Sequence, residues 1–167
     1  MKKILNYLSY IEIGICAFII IIGSFFPMFH LEAGTIDSDI NAWHAIAGVE
    51  SGSSSGIGKY LEFSFLCLLP FLFIVAIIVV NVLYDNRKNI KIDLIRLCLL
   101  MVTAVMFVFY MRLVNPGPHF NSYSEIAKFL SHTWGNYAIA IILMFPIVCE
   151  IIKLIKDIKA NKSNKEE

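Results

Sequence analysis

Four histidines, His30, His44, His119 and His132, lie among the carboxylates Glu32, Asp37, Asp39, Glu50 and Glu125 in two polar stretches of the chain. Imidazole and carboxylate are both zinc ligands, and four of them complete a tetrahedral site. A membrane enzyme or metal-binding protein with a histidine and carboxylate site is therefore one reading of these residues. No spacing supports it, because neither H-x-x-x-H nor H-E-x-x-H occurs. Histidines kept out of apolar segments must fall in loops, so surface or loop-packing histidines are the stronger reading.

Other nominal motifs fail on context. Gly52-Ser-Ser-Ser-Gly56 fits G-x-S-x-G, yet a nucleophile elbow needs a strand entering and a helix leaving a strained turn. Here the motif sits in a run of glycine and serine that reads as a flexible tether. Gly56-Ile-Gly-Lys59 is not a phosphate-binding loop, since Ser53 stands for the first glycine and Tyr60 for the hydroxyl residue. The cysteines Cys16, Cys67, Cys98 and Cys149 fall one in each apolar run, and no C-x-x-C occurs. They read as small apolar side chains. No cofactor is expected, and an enzyme is the lesser expectation.

Charges inside apolar runs carry more information, because such residues are costly unless paired or wetted. Glu12 lies about two turns into the first run, Arg96 and Glu150 near one end of the third and fourth. Glu62 and Arg112 fall near the opposite end. Depth pairs Glu12 and Glu150 with Arg96, and Glu62 with Arg112, if the runs pack as antiparallel helices. Such pairs are interhelical glue, or else part of a proton or ion path.

The elements that must position these groups follow from composition. Apolar residues make up 58% of the chain and charged ones only 16%, too apolar for a water-soluble fold of this size. Four runs, 4–29, 61–84, 94–114 and 137–155, each approach the roughly 20 residues that a helix needs to cross a bilayer. An outer loop 30–60, an inner link 85–93, a second outer loop 115–136 and a basic tail 156–167 complete one membrane domain. Eleven of the fourteen lysines and arginines flank one side of these runs, which places both termini and the inner link in the cytoplasm. The first run is too long for a signal peptide and lacks a small-residue cleavage site, so it is expected to be retained.

The expected fold class is an all-α membrane protein, an antiparallel four-transmembrane-helix bundle with a small extracytoplasmic cap. Within the cap, Asn41 to Gly48 reads as a short capped helix. Residues 28–32 and 35–36 read as a small hairpin. Ser122 and Glu125 read as a capping box opening an interfacial helix over 123–133. Trp43, Phe129 and Trp134 are the candidate partner-binding aromatics.

This layout, with a longer acidic first outer loop and a shorter second one, resembles claudin and tetraspanin-like proteins in topology alone. Those families carry loop cysteines, absent here, so no residue role is carried over. The leading functional expectation is a bacterial plasma-membrane accessory, immunity or sensing protein without enzymatic activity. It would bind another membrane or envelope protein, or a second copy of itself, through its outer loops. Transport by an oligomer using Glu12 is the alternative. The lipid bilayer is the other expected partner, and nucleic acid is not expected to be one.

Overall fold

The computed structural model describes residues 2–33, 36–53, 56–84, 90–118 and 120–163. Its frame is four long helices, α1 (Lys2–Phe25), α3 (Phe65–Tyr84), α4 (Ile90–Val108) and α6 (Gly135–Ser163). Three of them, α1, α3 and α6, are long and apolar enough to cross a membrane. The fourth, α4, is set apart by three charges, Lys91, Asp93 and Arg96, in its first two turns. It packs most extensively along α6 and also against α3, while α1 packs on α3 and α6.

Each long helix buries one stripe at helical spacing. Cys16, Ile19 and Gly23 face inward from α1, and Cys67, Phe71, Ile74 and Ile77 from α3. From α4 and α6 come Leu100, Phe107, Ile139, Leu143 and Ile147. The outward faces remain apolar as well: Phe18, Ile21, Val75, Val79, Val105, Ile141 and Phe145 are all exposed. Helices apolar all round belong in lipid.

The cap differs from an all-α expectation, because it holds two small sheets at one end of the helices. Strand β1 (Pro27–Ala33) pairs antiparallel with β2 (Ile36–Asn41) on one side and with β6 (Leu130–His132) on the other. Along β1, Phe29, Leu31 and Ala33 are buried while His30 and Glu32 are not, the period of two expected for a strand with one covered face. Pro27 explains the change of structure, since the residue before a proline is pushed out of the α region and α1 stops there.

The second sheet has the order β3 (Val49–Ser53), β4 (Gly56–Glu62), β5 (Asn115–Pro116). It replaces the expected tether over the glycine and serine run. Backbone pairing carries this hairpin, with Val49 opposite Leu61 and Gly52 opposite Ile57, and a ladder needs no side chain to form. Residues 61–62 therefore belong to a strand, and α3 begins only after Ser64. The Ser64 hydroxyl accepts from the Cys67 N–H at 3.3 Å and donates to the Leu113 carbonyl at 2.5 Å, fixing the start of α3 to the end of a 3-10 turn, Tyr110–Leu113.

Two shorter helices complete the cap. In α2 (Ala42–Ala47), Asn41 Oδ1 accepts from the His44 N–H at 3.0 Å, and Gly48 closes the helix at φ 100°. The expected helix over 123–133 is corrected to α5 (Tyr123–Ile126) followed by a turn and strand β6. Glu125 accepts from the Asn121 N–H rather than closing a capping box, and Ser122 turns to Ser124. With its first turn uncapped, the segment instead gives Leu130–His132 to β1 and the Phe129 carbonyl to the Glu32 N–H.

Candidate functional site

The buried stripes of the four long helices turn polar together, toward the end away from the cap. Helix α1 contributes Ser9 and Glu12, α3 Asn81, α4 Asp93 and Arg96, α6 Glu150 and Lys153, all buried. At 1.5 Å per residue, Glu12 stands about 20 Å from the cap end of α1, and Lys153 about 27 Å from that end of α6. The spacings 9/12, 93/96 and 150/153 each place two groups on one helix face, one turn apart.

Lys153 is the centre. Its ammonium donates to Glu150 Oε1 at 2.6 Å, to Glu12 Oε2 at 2.9 Å and to Ser9 Oγ at 3.4 Å. The Arg96 guanidinium lies 3.5 Å from Asp93 Oδ1 and 3.7 Å from Glu150 Oε1. One network thus joins α1, α4 and α6. It is incompletely satisfied: Glu12 Oε1, Glu150 Oε2, Asp93 Oδ2, Arg96 Nε and both polar atoms of the Asn81 amide are buried without a hydrogen-bond partner. Buried polar groups are ordinarily paired, so a concentration of unpaired ones marks a place suited to a small polar guest.

Glu12, Arg96 and Glu150 fall in one network, but only Glu150 meets Arg96, while Glu12 takes Lys153 as its cation. Lys153 and Asp93 were not distinguishable in the sequence, since Lys153 reads as the first member of a basic stripe with Lys156 and Lys159, and Asp93 as part of a link. The spacing of Lys153 three residues beyond Glu150 was the available signal. Glu62 and Arg112 take separate partners. Asn115 Nδ2 lies 3.5 Å from Glu62 Oε2, and the Arg112 guanidinium sits 5.7 Å from the Phe109 ring.

The histidines of the cap are dispersed. His30 lies between two carboxylates of β2, Nε2 3.1 Å from Asp37 Oδ1 and Nδ1 3.0 Å from Asp39 Oδ1, which occupies both ring nitrogens. His132 Nδ1 meets the Tyr137 hydroxyl at 3.0 Å, His44 is exposed on α2, and His119 lies outside the described residues. Among the described residues no group of three or more His, Cys, Asp or Glu side chains could hold a metal ion.

The aromatic candidates are fixed to the junction of cap and helices. Trp43 Nε1 donates to Ser24 Oγ at 2.6 Å and its ring stacks 6.2 Å from Phe71. Trp134 meets Phe26 edge-on at 4.9 Å. Both indoles stay about half exposed, as amphipathic rings do at a membrane boundary. Phe129, 5.7 Å from Phe120, opens instead into a cleft of the cap lined by Glu32, Lys128, Leu130 and Ser131. Comparison of the chain with protein-family models, curated proteins and solved structures finds no match.

Proposed function

We propose that the chain is a plasma-membrane protein of four spans, with both termini in the cytoplasm, that acts without catalysis by docking another membrane or envelope protein on its outer cap. Counting α4 as a span is supported by the burial of Asp93 and Arg96, which turns their charge away from lipid. The orientation rests on the bias of lysine and arginine toward the ends away from the cap. The composition, rich in isoleucine, lysine and asparagine, favours a bacterial source. The observation that carries the docking reading is the cap cleft, where an exposed phenylalanine lies between a carboxylate and an ammonium. Aromatic anchors ringed by polar groups are the usual core of a recognition surface.

The test is site-specific photo-crosslinking in native membranes from positions 128 and 129, with position 18 on the lipid face as control. The docking reading expects a discrete protein adduct from the cleft positions and lipid adducts alone from position 18. Cleft positions that yield no protein adduct would sink it.

One observation favours a second reading, ion transport by an oligomer lined by Glu12, Arg96 and Glu150. The buried Glu12 carboxylate meets the Lys153 ammonium, which also holds Glu150 and Ser9, so charged and polar groups of two helices converge there. Ion flux into proteoliposomes, reduced by Glu12→Gln, is the expected signature, and an impermeable wild-type vesicle rejects it.

A further inference from the structure

We propose that the buried cluster binds one exchangeable proton, held between the carboxylates of Glu12 and Glu150. This requires neither docking on the cap nor flux across the bilayer. The first argument is charge. Among the described residues, the buried charged side chains are Glu12, Asp93 and Glu150 with Arg96 and Lys153, which leaves one negative charge in excess when all five are ionised. Asp157, one turn beyond Lys153 and facing Asp93, adds a further carboxylate at the rim. An uncompensated charge in a low-dielectric interior is strongly disfavoured, and a bound proton removes it.

Geometry selects the carboxylate pair. Arg96 lies 3.5 Å from Asp93 and 3.7 Å from Glu150, whereas Glu12 and Glu150 converge on one ammonium, at 2.9 and 2.6 Å from Lys153 Nζ. Each of the two also keeps one oxygen without a partner, Glu12 Oε1 and Glu150 Oε2. Like charges brought to a common site disfavour double ionisation, so the pair takes up its proton as a unit. Uptake converts one carboxylate to a carboxylic acid. The proton comes from water at the lysine-rich end of the bundle and returns there on release.

Among the described residues the other groups near the pair are Ser9 and Cys16 from α1, Arg96 and Asp93 from α4, and Cys149 and Lys153 from α6, with Asp157 beyond them beside Asp93. From α3 comes Asn81 at similar depth, a neutral amide whose two polar atoms are fully buried and unpartnered. A metal cation is a poorer occupant than a proton. It needs several oxygens converging on one point, and no group of three or more suitable side chains does so among the described residues.

The test is infrared difference spectroscopy of the full chain in phosphatidylcholine nanodiscs, titrated with acid and base. The wild type is expected to show one protonated-carboxyl stretching band per chain that disappears on alkalinisation and shifts in heavy water. Glu12→Gln or Glu150→Gln should abolish that band or displace its midpoint. The wild-type titration decides the matter even if a variant does not fold, and Glu12→Asp offers a milder change. No titrating carboxyl band, or one unaltered in both glutamine variants, overturns the proposal. So does stabilisation of the wild type by sodium or potassium at fixed pH that Glu12→Gln removes, because that outcome assigns the site to a metal cation.

Discussion

Lys153 satisfies three side chains with one ammonium, so its removal leaves two buried carboxylates facing each other. Lys153→Met is expected to destabilise the folded chain by about 3–5 kcal/mol, the cost of breaking a buried ion pair from one side. Lys156→Met, on an exposed position of the same helix, should change stability by no more than about 0.5 kcal/mol. Thermal unfolding of both variants in the same nanodiscs checks the contrast, and equal shifts would refute the central place given to Lys153. At Gly48 the constraint is backbone conformation. With φ at 100° and an added Cβ meeting the Leu61 carbonyl oxygen at 2.6 Å, Gly48→Ala should cost about 1–3 kcal/mol. Faster amide exchange over residues 42–47 would report it.

Among the elements, the junctions of cap and helices rest on few bonds. Ser64→Ala removes both the cap of α3 and the bond to Leu113, and should cost about 0.5–2 kcal/mol. A variant indistinguishable from the wild type in thermal unfolding would show that the junction is held by packing alone. The long helices were legible in the sequence because a run of about 20 apolar residues has few alternatives in a membrane protein. The helix capped by Asn41 was legible for a similar reason, as its start and stop are written in single residues. Of the strands, the β1–β2 hairpin was legible from its two short runs, but the others were not. In β4 the pairing is carried by backbone across Gly56, Gly58 and Lys59, and such a ladder leaves no alternation of side chains to read. In β6 three residues are held by a partner about 100 positions away, and no local signal encodes that. The cluster was half legible. The cost of Glu12, Arg96 and Glu150 in an apolar run is a property of each residue, but their meeting with Lys153 depends on how the helices rotate against one another.

For the whole molecule, the four-span reading makes a topological prediction. A cysteine placed at exposed Ser38 on β2 should react with an impermeant maleimide added outside intact cells, whereas one at exposed Lys156 should react only after lysis. Cys16, Cys67 and Cys149 are buried and Cys98 lines an apolar groove, so the native thiols should stay unlabelled. Labelling of position 156 from outside would reverse the orientation. A different consequence follows from the way the sheets are closed. Each is a hairpin from the first outer segment, β1–β2 or β3–β4, sealed by a strand from the second, β6 or β5. The Thr133 hydroxyl even bonds the Pro27 carbonyl across 106 residues of chain. On the four-span reading proposed above, a nascent chain that has threaded only α1 and α3 holds two half-built sheets outside the membrane, each with a backbone edge open to proteases and to misjoining. On that reading neither sheet acquires its last strand until α4 has crossed, because β5 and β6 both follow α4 in the chain. A closed cap would then certify that α4 has crossed, since a chain that stalls earlier has no such surface to display.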